Sequence, residues 1–492
     1  MKTTPTQDGQ RLLGGTARIF AAEALLVPTG LATAVFLSRR FGPEGYGLLT
    51  LASVLVVWVE SNVAAALSRP AIKLVGDADD WRPIGTAVLR LYTVVGLGLA
   101  TALWAASPTL AAALGEPALA GYLKVLALDV PLFCAAQAHR NIIVGLGRFR
   151  ERALVSAWRW VARLMLIVVF VVVEGSPAGA LWGSVCASLV ELVVCRRYAR
   201  LRLFGRGAYP ARRLCGYALP LVASALCVSL YSRLDLILLK ALGGTNAEAG
   251  VYGVAQNLAL LPSLFSFSFA PALLSTLSRA LRDGDEGAAR ASARQAMRAV
   301  ILLTPLAAIT AGAAPEIVGT IFGPEFLAAS TPLRLLIFGA LALLFVAVTT
   351  SVLTAAGKPG WTLHVAWPLL LCATAGHLIL IPRAGAVGAA FVTTALACAA
   401  ALVTVCLVRN VWRVAPPAPT LWRSAAVSLS VYALMALVSA PGILLVLKLA
   451  GAGLFVVAAL LLSGEFSADE IGAARALLRR RSRTGLKARD EL

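Results

Sequence analysis

Acidic residues are scarce in this chain: 24 Asp and Glu stand against 44 Lys and Arg, and only 14% of its 492 residues carry charge. A soluble globular chain has nearer a quarter of its residues charged, so there is too little polar surface to cover a water-facing globule. The three histidines, His139, His364 and His377, are scattered without metal-ligand spacing, and the eight cysteines include no C-x-x-C pair. The cysteines read as small apolar packing residues, so neither zinc, a redox centre nor any other cofactor follows. No G-x-x-x-x-G-K-[ST] occurs, and AAGKP resembles only its end, so no P-loop hydrolyses nucleotide here. Aromatics make up 7% of the chain; Trp104, Trp158, Trp160 and Trp182 read as interface or packing residues rather than a base-stacking platform.

What is abundant is apolar: 59% of the residues, with a mean hydropathy of +0.83. The net charge of +20 ordinarily suggests nucleic acid. In so apolar a chain it points instead to a membrane protein with cationic cytoplasmic loops, and no nucleic-acid partner. A bilayer core takes about 20 apolar residues per helix, and about 14 such stretches are legible. They lie near 16–38, 48–67, 83–106, 120–144, 153–173, 178–195, 214–239, 248–274, 297–316, 331–355, 361–381, 385–408, 421–439 and 442–462. Their length, and the short Gly/Pro turns between them, favour helices over barrel strands of about 10 residues.

Charge tests the count. The basic connections are GLGRFRER, with Arg148, Arg150 and Arg152; the stretch from Arg196 to Arg213; the stretch from Arg279 to Arg298; and the tail. Those near 107–119, 174–177 and 440–441 have no Lys or Arg, and the alternate side carries only Arg39, Arg40, Lys240, Arg334 and Arg383. An even number of spans therefore places both termini in the cytoplasm. The first apolar run is too long for a signal-peptide core and reads as a retained helix.

Several features recur about 206 residues apart. Tyr46-Gly47 matches Tyr252-Gly253, Ala178-Gly179-Ala180 matches Ala384-Gly385-Ala386, LGEP matches FGPE, and Gly147-Arg148 matches Gly357-Lys358. Six spans separate the copies, so both halves have the same orientation, a parallel repeat of six helices each. The expected organisation is a cytoplasmic N-terminus (1–15), a first lobe (16–199), a basic linker (200–213), a second lobe (214–410), two extra helices (420–462) that look like an appendage, and a basic tail (463–492).

The stretches RRFGPEGYGLLTLA, GLGRFRERAL, LPLVASALCVSLYSRLDLILLKALGG, EAGVYGVAQNLALLP, FGPEFLAASTPLRLL and LILIPRAGAVGAAFVTTALA resemble the polysaccharide transporter, or lipid-linked oligosaccharide flippase, family of the MOP exporter superfamily. The ordered set covers spans 1–12. The resemblance implies an all-α polytopic membrane protein whose two six-helix lobes form a V around a cationic cavity. It implies export of an undecaprenyl-pyrophosphate-linked oligosaccharide across the bacterial cytoplasmic membrane, with membrane lipids around it and polysaccharide polymerase and glycosyltransferases as functional partners. Peptidoglycan-precursor flippases and multidrug antiporters are neighbours in the same superfamily.

Ionisable groups inside spans face cavities or partners. With a rise of 1.5 Å per residue, Arg159 lies about 10 Å and Arg163 about 16 Å into the fifth span, on one helical face. Two adjacent guanidiniums could hold a pyrophosphate through paired donors; pairing with Glu191 of the sixth span is the alternative. Arg90, about 10 Å into the third span, joins this cavity or reaches the head groups. Glu23, Glu60 and Asp129 are candidates for ion coupling or for structural ion pairs. Arg233 and Asp235 lie towards the outer mouth of the seventh span, about 28 Å along it; they are gating or packing residues, and Asp235 is also a family position by resemblance. Lys448 reads as a helix–helix contact. A drug or cation antiporter would want a more acidic cation-binding lobe. A membrane glycan polymerase or ligase would want a larger outer loop than the connections here, none longer than about 20 residues. The tail from Ser467 reads as an amphipathic basic helix on the anionic inner leaflet or as a solvated end.

Overall fold

The computed structural model describes residues 19, 21–201, 229–231, 233–260, 262–357, 360–440, 442–466 and 472. The predicted N-terminus (1–15), the basic linker, the opening of the seventh span and the amphipathic tail lie outside them. The described chain is all-α, and ten of its helices are long and apolar enough to cross a membrane. It is a multi-pass membrane protein.

Two of the ten are far too long for one crossing. Helix α1 (Leu26–Gly76) has 51 residues, about 77 Å at 1.5 Å per residue, against a hydrocarbon core of about 30 Å. It is divided at Gly42, whose φ of 64° and ψ of −173° are open to glycine and to few other residues. Thr33 and Leu37 before this break line the same cavity as Leu49, Ser53 and Glu60 after it, so the chain doubles back and spans 1 and 2 lie side by side. The last long helix, Gly360–Trp412, is divided in the same way at Gly385, between predicted spans 11 and 12. Between these come α2 (Trp81–Ala113), α3 (Pro117–Ala127), α4 (Asp129–Gly145), α5 (Phe149–Glu174), α6 (Pro177–Tyr198), a helical stretch α7 (233–241), and α8 (Asn246–Ala259). There follow α9 (Ser263–Arg282), α10 (Glu286–Ile301), α11 (Thr304–Gly312), α12 (Ala314–Ile321), a 3-10 turn (Pro324–Ala329) and α13 (Ser330–Ala355). The kinked helix Gly360–Trp412 is α14, and α15 (Ala418–Leu437) and α16 (Ile443–Leu462) end the described helices.

The predicted spans differ from this in detail. The fourth is broken at Leu128 into α3 and α4, the eighth between Ala259 and Ser263, and the ninth before Pro305, where Thr304 opens a new helix. Proline is tolerated in the first turn of a helix but not in its interior, so a continuous apolar run can conceal such a joint.

The repeated motifs pack on each other. The second half of α1 crosses α8 so closely that a Cβ on Gly47 would meet the Asn246 carbonyl oxygen at 1.8 Å, the kind of approach that small residues permit between membrane helices. Asn257 donates to the Tyr46 hydroxyl at 2.8 Å. At the same end of the bundle Arg39 donates to the Thr320 and Ile321 carbonyls at 2.6 and 2.9 Å. Lys240 and Asn246 reach Glu116 at 3.4 and 2.7 Å.

The two extra helices are more than an appendage. Lys448 on α16 pairs with Glu316 at 2.6 Å and donates to the Met435 carbonyl at 2.8 Å. Beyond α16, Glu465 accepts from Arg298 (2.8 Å), Thr420 (2.6 Å) and Arg423 (3.2 Å). These bonds tie both ends of the hairpin to α10 and α12. Burial pushes the Glu465 carboxyl up, but the hydrogen bonds from Thr420, Arg298 and Arg423 outweigh it and hold the group below its ordinary range.

Candidate functional site

Helices α1, α3, α4, α5 and α6 form a cavity of about 90 Å³ lined by Glu60, Asp129, Arg159 and Arg163 together with the hydroxyls of Thr33, Ser53, Ser184 and Ser188. Four of the residues expected at the site thus come together. The helical register explains how. Arg159 and Arg163 are one turn apart on α5, Asp129 opens α4, and the fold-back at Gly42 brings Glu60 alongside.

The two arginines are held differently. Arg159 pairs with Glu191 of α6 at 3.2 Å, and its guanidinium lies 5.1 Å from the rings of both Phe133 and Trp160. Glu191, fully buried, also pairs with Arg140 at 2.9 Å, and Arg140 lies over the same Phe133 ring at 5.1 Å. The Glu191 contacts are ionic rather than aligned hydrogen bonds, since neither carboxylate oxygen meets hydrogen-bond geometry. For Arg163 no hydrogen bond or salt bridge is found among the described residues. Its charge neighbours are Arg159, Asp129 and Glu60. Glu60 and Asp129 are 7% and 6% exposed, and each has one buried oxygen, Oε1 and Oδ1, without a hydrogen-bond partner. The cavity is therefore of mixed sign rather than simply cationic, and it is smaller than the roughly 300–1,000 Å³ of a pocket for a drug-sized ligand.

The other expected residues stand elsewhere. Arg90 is half-buried on α2 and is not among the residues that line the cavity. Glu23 accepts from Arg152 and Ser156, both at 2.8 Å, and from Trp160 at 3.4 Å, which fixes the start of the first span against α5. In the second half, Asp235 is 3% exposed. It accepts from the Tyr252 hydroxyl (2.7 Å), the Gln256 amide (2.9 Å), Thr393 (3.4 Å) and the Leu236 N–H (2.8 Å). Arg233, half-buried, is close enough for the Asp235 charge to act on it. His377 is 1% exposed with Nδ1 unpartnered, also within reach of the Asp235 field.

Sequence reasoning missed Arg140. The signal was present, since His139, Arg140 and Asn141 are three consecutive polar residues inside an apolar run. Asn141 donates to the Tyr92 hydroxyl at 2.7 Å and to Ser68 at 3.2 Å, and all three residues are buried.

Residues 36–331 match the model of a family described as polysaccharide biosynthesis protein. The chain belongs to that family. It is also 28% identical over 204 residues to an uncharacterized membrane protein of Methanocaldococcus jannaschii, spanning 41% of this chain and only 38% of that relative's length. Among solved structures, the lipid II flippase MurJ in an inward closed conformation superposes with a TM-score of 0.77 at 13% identity, over 91% of this chain and 98% of that one. An inward-facing multidrug resistance MATE transporter of the MOP superfamily gives 0.69 at 15% identity, over 79% and 94%. A MOP-superfamily transporter from Pyrococcus furiosus, described as having a binding pocket of reverse polarity, gives 0.64 at 16% identity, over 84% and 99%. At these identities the likeness establishes the fold alone, which this chain shares with these transporters and the flippase.

Proposed function

We propose that this member of the polysaccharide biosynthesis family is a flippase. It moves an undecaprenyl-pyrophosphate-linked oligosaccharide across the bacterial cytoplasmic membrane, with both termini in the cytoplasm. Its 16–199 and 214–410 lobes rock against each other in alternating access. The polyprenyl tail stays in lipid while the head group passes between the lobes, and polymerase and glycosyltransferases stand after and before it in the pathway. The observation that carries this reading is Arg163: a half-buried guanidinium that lines a cavity, beside an arginine already paired with Glu191. Arg159, with one ion pair in place, adds field rather than a free fork. Arg90, outside the cavity lining, is the third cationic candidate. Glu23, Glu60, Asp129, Arg233 and Asp235 remain the coupling and gating candidates, and the absence of a P-loop motif favours an ion gradient or membrane potential as the energy source.

The test is Arg163→Ala in cells that depend on the protein for surface glycan. Surface glycan should fall at least tenfold with unchanged protein abundance, and Arg163→Lys should recover part of it, because a point charge replaces the paired donors. Wild-type glycan levels in Arg163→Ala would remove this residue as the head-group ligand. One observation favours a second reading: Glu60 and Asp129 line the same cavity with unpartnered oxygens, as a drug or cation antiporter would require. Cation-dependent drug efflux that is lost in Glu60→Gln, with glycan export intact, would select it.

A further inference from the structure

The charges in this cavity and directly behind its wall balance. Arg140, Arg159 and Arg163 face Glu60, Asp129 and Glu191, one carboxylate for each guanidinium. They fall into two sets. Glu191 is committed to Arg140 and Arg159, with the Phe133 ring against both guanidiniums, and that set is closed. Arg163, Glu60 and Asp129 share the open cavity, where both carboxylates have an oxygen to spare. The groups that face these carboxylates come from every wall: Thr33 and Ser53 on α1, Cys134 and Arg140 on α4, Arg159 and Arg163 on α5, and Ser184, Ser188 and Glu191 on α6. Glu23 reaches them through the arginines it shares with them, Arg159 and Arg140.

A phosphate-class anion entering beside Arg163 meets two carboxylates in a space of a few water volumes. With Arg159 at the cavity wall already paired with Glu191, Arg163 cannot by itself neutralise all three anions, and like charges held this close cannot all stay ionised. Protonation removes the conflict and changes the chemistry, because each carboxyl then offers an O–H donor towards the anion where it offered only acceptors before. We propose that Glu60 and Asp129 are the resident counter-ions of Arg163, and that the site takes up a phosphate-class anion and protons in a single linked event. Glu191 is the permanent counter-ion that keeps the other two arginines out of the exchange. The inference rests on the reading of Arg163 as head-group ligand and adds what that ligand must bring with it.

The experiment is calorimetric titration of the full chain in nanodiscs with inorganic pyrophosphate, at pH 6 and pH 7, in two buffers of different ionisation enthalpy. Wild type, Glu60→Gln, Asp129→Asn and the double variant are compared, so that the titration of pyrophosphate itself cancels. Wild type should take up about one to two more protons per anion than the double variant, and its affinity relative to that variant should fall about tenfold per proton between the two pH values. The single variants should lie between. Equal proton counts in all four proteins, with binding still lost in Arg163→Ala, overturn the linkage and leave the Arg163 reading standing. No binding by wild type at either pH overturns both. If the double variant is not monodisperse, the single variants decide by the same criterion.

Discussion

Two acidic centres lie in the two halves of the chain, and they are neutralised by opposite means. In the first half Glu60, Asp129 and Glu191 meet three arginines. In the second half Asp235 meets a phenol, an amide, a hydroxyl and a backbone N–H. The contrast is not inherited from the repeat. Shifted by about 206 to 210 residues, the six charged positions of the first centre fall in 266–270, 335–339, 346–350, 365–373 and 397–401, which contain no charged residue. The motifs recur about 206 residues on, but this charge cluster does not recur with them. The difference teaches which centre can exchange partners. Asp235 is satisfied by neutral donors that hold it in place, whereas the first centre has, among the described residues, one guanidinium without an ion pair and two carboxylates with an unpartnered oxygen lining a cavity.

The contrast can be broken at either end. The largest expected effect is on stability at the closed set: Glu191→Ala leaves Arg140 and Arg159 buried without their shared counter-charge, a loss of about 3–5 kcal/mol. Thermal unfolding in detergent should show it, and an unchanged midpoint would mean that Glu191 is not their anchor. Asp235→Asn should cost less, about 1–3 kcal/mol, because the neutral donors keep an acceptor in place. The same unfolding measurement ranks the two, and a reversed order would refute the distinction between the centres. At the ends of the extra hairpin, Lys448→Met should be close to neutral only when combined with Glu316→Gln, since a buried charge without its partner is the costly state. A double-mutant cycle reads that coupling.

The smallest effect concerns pH and lies away from both centres. The Glu465 carboxyl is held below its ordinary range, so its ionised form stabilises the fold at neutral pH. That contribution is present above the unfolded value of 4.5 and is lost as pH falls through the lowered folded value. Wild type should therefore be more stable than Glu465→Gln at pH 7, and the two should converge below pH 4.5. A constant difference down to pH 3 would mean that the bonds do not depend on ionisation.

Much of the fold was legible because helix length and bilayer thickness are linked by simple arithmetic. The sequence divides the run from Ala21 to Gly76 between 38 and 48, and the break, at Gly42, falls in that interval. The breaks at Leu128 and between Ala259 and Ser263 were not legible, since apolar composition is blind to a joint that keeps both sides apolar. Of the site, the pairing of Arg159 and Arg163 on one face followed from their spacing. Glu191 was foreseen as a partner, but its second arginine was not, because Arg140 lies near the end of a predicted span, where a cation is expected to reach water. Arg90 was grouped with the cavity on depth alone. Depth says how far along a helix a residue lies, while the direction it faces depends on packing between helices. The neutral partners of Asp235 were invisible for the same reason, being spread over α8 and α14.

The most direct measurement is the crossing of a fluorescent polyprenyl-pyrophosphate glycan in proteoliposomes, read by quenching of the label exposed on the outer leaflet. The account predicts rapid crossing with wild type, crossing at the protein-free rate with Arg163→Ala, and partial recovery with Arg163→Lys, all at equal reconstitution. Crossing by Arg163→Ala at the wild-type rate would contradict it.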